Sequence, residues 1–407
     1  MTPAQPTRLS TRLASISESA TLAVTARAKA LAASGADVVN FGAGEPDFDT
    51  PPHIIQAAIH ALENGETRYA PAAGSPALRA AVADWMNQWN PCSPYTPARV
   101  AVTSGGKFAL YAAFSATLNP DDQAIIPAPF WVSMPEFVRL AQATPVILPC
   151  PQENQFKLLP DQLAAAITAR TRIVCLNSPS NPTGAVYSAD ELRALLEVIA
   201  PHPNVLIFSD EIYEKLVYPP ASFTSLASLR PDLTDRILTF SGASKTFAMT
   251  GWRIGWVAGP QDLINAIAMI ASQSTSNPTT FAMSGALAAL RSPLDFLPAW
   301  LNAYQRRAAL MTSLLNQMPG VECLPPAGAF YCFPRVRGLF GRTIAGKTIH
   351  SSFELCTALL ETAHVALVPG EPFGADDHVR LSFACSEESI QKGLSRMAQL
   401  LDPARSA

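Results

Sequence analysis

Residues 241–256 read SGASKTFAMTGWRIGW, with Lys245 among small residues and Arg253 eight positions further on. A lysine amine becomes a nucleophile toward carbonyl carbon when its surroundings lower the ammonium pKa, and desolvation with a nearby cation does so. On residue chemistry alone the pair also reads as a surface lysine on a turn. Its place supports chemistry, because RILTF at 236–240 is an apolar run and α/β folds put ligands beyond the carboxyl ends of their strands. Asp210 ends a second apolar run, NVLIFSD, with Glu211 and Tyr213 close behind. An acid there is costly unless it meets a cation, although taken alone it reads more readily as a helix N-cap. NSPSNPTGAVY, just past RIVCLN, is Gly/Pro/Asn turn chemistry that carries no functional weight by itself. TSGGKFAL runs from a strand through Ser104, Gly105 and Gly106 into a helix and offers free backbone N–H groups to an anion, with Lys107 beside the glycines. Paired glycines before a helix also occur in plain tight turns.

The elements that must position these groups alternate in type. Short apolar runs, VAVT (100–103), QAIIP (123–127), TPVILP (144–149), RIVCLN (172–177), NVLIFSD (204–210), RILTF (236–240) and RIGWVAG (253–259), predict strands covered on both faces. Between them lie helical stretches such as KFALYAAFSATL, SADELRALLEVIA and PQDLINAIAMIASQ, the last with Pro260 suited to a first helical turn. The pattern predicts an α/β fold with a mostly parallel central sheet and helices on both faces. After about residue 290 the order changes to a long helix (LPAWLNAYQRRAALMTSLLNQM), strand-like pieces (FYCFPRV, VALVPG, HVRLSFA) and a closing helix from Ser386, which predicts a smaller α+β domain. The expected division is a large domain over 51–290 and a small domain over 291–407, joined by residues 1–50 with their helix TLAVTARAKALAASG and strand VVNFG. No repeat is visible.

Composition narrows the function. The formal charge of −3 argues against nucleic acid, whose phosphates demand clustered Lys and Arg. Seven scattered cysteines (Cys92, Cys150, Cys175, Cys323, Cys332, Cys356 and Cys385) with no CxxC pair suit reduced, buried thiols in a cytoplasm and no metal site. MTPAQPTRLSTRLASIS lacks a secretory apolar core, and no run approaches the ~18 apolar residues of a membrane span. Arg8 and Arg12, with no acid before Glu18, leave open an organelle transit segment, but a flexible arm is the expectation.

Taken in order, the four chemical segments with GAGEPDFDTP (42–51), YAPAAGSPALR (69–79) and HVRLSFACSEE (378–388) resemble the class I aminotransferases, pyridoxal-phosphate enzymes of fold type I. The similarity is strongest to the bacterial-type aspartate aminotransferase branch, which includes prephenate aminotransferases, and it spans nearly the whole chain. The resemblance implies that Lys245 binds pyridoxal 5'-phosphate covalently and then shuttles a proton. Asp210 would pair with the pyridinium nitrogen, Asn181 and Tyr213 would hydrogen-bond the phenolic oxygen, and Trp131 would stack on the ring, although a core aromatic is the other reading of Trp131. Gly105, Gly106, Arg253 and Ser241 or Ser244 would receive the phosphate, with Tyr69 reaching it from a second subunit of a homodimer. Arg380 would clamp the substrate α-carboxylate beside Gly44, and Lys107 would read a distal carboxylate. Cis peptide bonds are implied at Ala128–Pro129 and Asn181–Pro182.

Two departures stand out: Glu18 where relatives commonly have Pro, and Gly242 where some branches have Ser. The expected function is transfer of an amino group from aspartate or glutamate to a 2-oxo acid. Prephenate, aromatic or alanine-type aminotransferases, and a lyase on the same fold, are the alternatives. A cofactor-binding regulatory domain is the non-enzyme alternative, although no basic helix-turn-helix segment precedes residue 20.

Overall fold

The computed structural model describes residues 10–18, 20–91 and 94–402; Arg8 and Cys92 lie outside them. Seven strands form one sheet: β1 (Val100–Thr103), β2 (Gln123–Ala128), β3 (Thr144–Pro149), β4 (Thr171–Asn177), β5 (Leu206–Asp210), β6 (Ile237–Gly242) and β7 (Gly255–Ala258). Their spatial order is β1-β7-β6-β5-β4-β2-β3. Every apolar run singled out in the sequence is one of these strands. The pairs β2–β3, β2–β4, β4–β5 and β5–β6 are parallel, whereas β7 runs antiparallel to both β1 and β6.

Alternation within the strands explains why nearly every residue is apolar. Val174, Leu176, Ile207 and Ile237 enter one core, while their neighbours Ile173, Cys175, Phe208 and Leu238 enter another on the opposite face. Successive side chains point to opposite faces of a strand, so a sheet packed on both sides needs apolar residues at both parities. Each such side chain contributes roughly 1.5–3 kcal/mol by leaving water.

Five helices matter for the site or its support: α1 (Ala20–Ala33), α2 (Gly106–Thr117), α3 (Ala189–Ile199), α4 (Leu297–Leu315) and α5 (Glu387–Leu401). Ser188 starts α3 with a capping box shared with Glu191. Pro260, expected inside a first helical turn, instead occupies the N-cap of Gln261–Ser272, one residue earlier. Beyond the sheet, a separate apolar cluster gathers Tyr304, Met311 and Leu315 of α4 with Phe330, Val365, Leu381 and Leu394. A three-stranded sheet crosses it, β8 (Tyr331–Cys332), β9 (Val368–Pro369) and β10 (Val379–Ser382), in the order β9-β10-β8. The strand Val39–Asn40 pairs in parallel with Val365–Ala366, which ties the N-terminal segment to this part of the chain. Six cysteines among the described residues are free thiols, five of them buried.

Candidate active site

The register of the large sheet brings the polar residues together. Asn177 ends β4 directly opposite Asp210 at the end of β5, and Asp210 lies opposite Phe240 in β6. Two residues beyond Phe240 the chain leaves β6 into the short helix Ala243–Thr246, which carries Lys245. These strand ends open into a cavity of about 410 Å³ whose lining includes Lys107, Trp131, Asp210, Lys245, Arg253 and Arg380. Gly44, Gly106, Asn181, Tyr213, Ser241 and Ser244 also face it.

Lys245 Nζ donates to the Gly44 carbonyl. Burial lowers its pKa to about 8, assisted by Arg380 and, less strongly, by Arg253, against the opposing charges of Glu45 and Asp210. The sequence suggested Arg253 as the depressing cation; the larger effect belongs to Arg380, which the fold returns from β10. Asp210 caps no helix, since a turn follows it, and its Oδ1 accepts the Ile212 N–H at 3.2 Å. Burial raises its carboxyl to about 7, with Lys245 opposing. An acid near its midpoint and an amine with a substantial neutral fraction thus face one cavity near neutral pH, a pairing suited to proton transfer.

Arg380 is fully buried; Nη1 donates to Asn181 Oδ1 at 3.0 Å and Nη2 to the Gly42 carbonyl at 2.9 Å. Its Nε has no hydrogen-bond partner among the described residues. Its guanidinium lies 4.5 Å from the centre of the Tyr331 ring. Tyr331 was not singled out from sequence, nor were Asn177 and Glu45. Asn177 Nδ2 donates to the Asp210 carbonyl at 2.9 Å, and its Oδ1 accepts the Asn181 N–H at 2.9 Å. Glu45 Oε2 accepts from Thr250 at 3.0 Å. Thr21 and Thr25 of α1 also line the cavity. Nothing in FYCFPRV distinguishes Tyr331 from a core aromatic; only the antiparallel pairing of β8 with β10 reveals its place beside Arg380.

At the other end of the cavity, Gly105 starts α2 with φ of +88°, and a Cβ there would lie 2.2 Å from Arg253 Nη2. A Cβ on Gly255 would lie 2.1 Å from the Gly106 nitrogen. Side chains are therefore excluded, and the first N–H groups of a twelve-residue helix stand beside an arginine fork. That is a receptor for a phosphate. Arg253 itself sits in the left-handed region at φ 57°, with Nη1 donating to the Thr250 carbonyl at 2.6 Å. Ser241 and Ser244 are buried beside this cradle. Trp131 is half-buried, with Lys107 Nζ 5.2 Å from its ring centre. Burial and Arg253 lower the Lys107 pKa.

The implied cofactor can be tested against this geometry. A phosphate cradle at one end, an acid of raised pKa at the strand ends, an aromatic wall and an amine of lowered pKa match an aromatic ring that carries phosphate, a protonated nitrogen and an aldehyde. Pyridoxal phosphate fits. The peptide bonds Ala128–Pro129 and Asn181–Pro182 are cis as implied, and Ser178–Pro179 and Pro219–Pro220 are cis as well. Tyr69 does not join the cavity within one chain: it stands 92% exposed. Glu18 is exposed, near the Ser17 N–H that donates to Glu136 Oε2 at 3.2 Å. No group of His, Cys, Asp or Glu among the described residues could hold a metal, and no described helix is long and apolar enough to cross a membrane.

Comparison with known proteins agrees. The family described as aminotransferase class I and II matches residues 36–397. An aspartate/prephenate aminotransferase of Cereibacter sphaeroides is 48% identical over 96% of this chain and 97% of its own. An aspartate aminotransferase of Geobacillus stearothermophilus is 46% identical over 97% of this chain and 99% of its own. The crystal structure of the Rhizobium meliloti aspartate aminotransferase superposes with a TM-score of 0.93 at 42% identity, over 98% of this chain and 99% of that one.

Proposed function

The chain belongs to the class I and II aminotransferases and is a pyridoxal-phosphate-dependent enzyme, and from that premise we propose that it moves the amino group of aspartate or glutamate to a 2-oxo acid. The observation that carries this reading is the convergence of Lys245, Asp210, Arg380 and Lys107 on one cavity. When bound, the cofactor supplies an electron sink for negative charge at the substrate α-carbon.

The chain's own residues do the rest. Asp210 would pair with the ring nitrogen and keep it protonated, the positive nitrogen favouring the carboxylate that burial alone disfavours. Asn181 and Tyr213 address the phenolic oxygen, and Trp131 covers the ring face. Gly105, Gly106, Arg253 and the Ser241/Ser244 pair hold the phosphate. Arg380 grips the α-carboxylate, with Gly44 leaving room for its approach; its burial makes that charge-assisted bond strong. Lys245, with a pKa of about 8, has a neutral fraction at physiological pH that can take the proton from the substrate α-carbon and would deliver it to the cofactor's C4' carbon, two atoms away.

Lys107 reads the distal carboxylate; its ammonium stands over Trp131 and lines the same cavity as Arg380. The enzyme works as a cytoplasmic homodimer with a large domain over 51–290 and a small one over 1–50 and 291–407. Tyr69, 92% exposed, reaches the phosphate of the partner subunit. The test compares kcat/KM for aspartate and for a neutral amino acid in native and Lys107→Ala enzyme. Losing one charge-assisted contact is expected to cost aspartate about 1.5–3 kcal/mol and the neutral substrate little. Equal losses would assign Lys107 to the phosphate instead.

A further inference from the structure

Tyr213 and Tyr331 present the site with a problem of proton direction. Their hydroxyl oxygens are 2.9 Å apart, both side chains are buried, and each phenol has a single proton. One of the two must donate to the other. If Tyr213 spends its proton on Tyr331, it has none left for a ligand oxygen.

We propose that Tyr331 is a positioning residue that donates to the Tyr213 oxygen, leaving the Tyr213 proton to face the cofactor's phenolic oxygen. The inference rests on the reading of Tyr213 given above. It is favoured by the charges around the pair. The Arg380 guanidinium stands 4.5 Å from the centre of the Tyr331 ring, and Tyr331 OH abuts the backbone at Gly44, where a Cβ would come within 3.2 Å. Tyr213 lies in the turn three residues beyond Asp210, whose carboxyl faces the same cavity. Burial raises both phenols, so both keep their protons at neutral pH. Apart from the contact between the two phenols, Arg380 pulls Tyr331 back down with Glu45 opposing, whereas on Tyr213 the pull of Arg380 is opposed by the charge of Asp210. The cation over the Tyr331 ring and the Asp210 carboxyl beside Tyr213 make Tyr331 the better donor of the two. A phenol that accepts a hydrogen bond donates a stronger one, because successive bonds polarise each other.

The test is spectroscopic. In the cofactor-loaded enzyme a hydrogen bond to the phenolic oxygen stabilises the negative charge of the form that has lost its proton, so weaker donation moves the pH midpoint of the visible absorbance change upward. Tyr331→Phe is expected to raise that midpoint by a few tenths of a pH unit, the size of a 10–30% loss from one charge-assisted bond. Tyr213→Phe is expected to raise it more, and the double variant no further than Tyr213→Phe alone. The affinity of the apoprotein for pyridoxal phosphate, read by fluorescence, should fall in the same order while thermal midpoints stay close to native. A midpoint that is unchanged or lowered in Tyr331→Phe, with Tyr213→Phe raising it, would overturn the proposal alone. So would additive shifts in the double variant. No movement in Tyr213→Phe would overturn both the proposal and the reading of Tyr213 beneath it.

Discussion

Lys245 shows how a functional side chain is placed at the expense of stability. Its ammonium titrates near 8 in the fold against 10.5 when free, chiefly because burial disfavours the charge. The unfolded chain thus binds more protons between those values, and stability from this group rises with pH across that window. Below it the buried amine opposes folding by up to about 3 kcal/mol, discounted by its bond to Gly44. In cofactor-free protein, Lys245→Met is therefore expected to melt higher relative to native at pH 7 than at pH 10. An advantage that is constant with pH, followed by calorimetry, would show that the lysine is not held in a depressed state. The sequence made Lys245, Asp210 and Arg253 visible because lone charges among apolar residues are conspicuous. Tyr331 and Asn177 were invisible for the opposite reason: an aromatic in an apolar run and an Asn at a strand end are ordinary residues until pairing shows what they touch.

Among the elements, the seven strands were legible because two covered faces demand unbroken apolar runs, and turn residues bound them. Direction was not. RIGWVAG reads like its neighbours, yet it returns antiparallel between β1 and β6 because the chain reverses through the turn carrying Arg253. That reversal builds the phosphate cradle: it lays Gly255 across from both Thr103 and Gly242 and against the Gly106 nitrogen. Gly255→Ala would force a methyl into a backbone 2.1 Å away. The expected loss is about 1–3 kcal/mol of stability in chemical denaturation, the usual cost of overpacking, together with weaker binding of pyridoxal phosphate. Native affinity with native stability would mean that the cradle yields more easily than the strand pairing allows.

At the scale of the molecule, the helix Pro52–Glu63 buries Ile54, Ala58 and Ala61 and turns Ile55, Ile59 and Leu62 to the outside, close in sequence to Tyr69. The exposed stripe, at spacings of four and three, is the face that the proposed dimer is expected to bury. Ile59→Asp is expected to sediment as a monomer and to lose pyridoxal phosphate affinity, since Tyr69 could no longer reach a partner's phosphate; a variant that stays dimeric would move the interface elsewhere. Composition and motif order made the family legible along the whole chain, whereas this stripe passed unnoticed because a helix packed on one face looks the same in sequence whether its other apolar residues meet solvent or a second subunit. The most direct measurement incubates native and Lys245→Ala enzyme with aspartate and 2-oxoglutarate and follows both products. Native enzyme is expected to form oxaloacetate and glutamate in equal amounts, and Lys245→Ala, still folded, to form neither; near-native turnover by Lys245→Ala, or aspartate consumed by native enzyme without glutamate formed, would contradict an aminotransferase that works through Lys245.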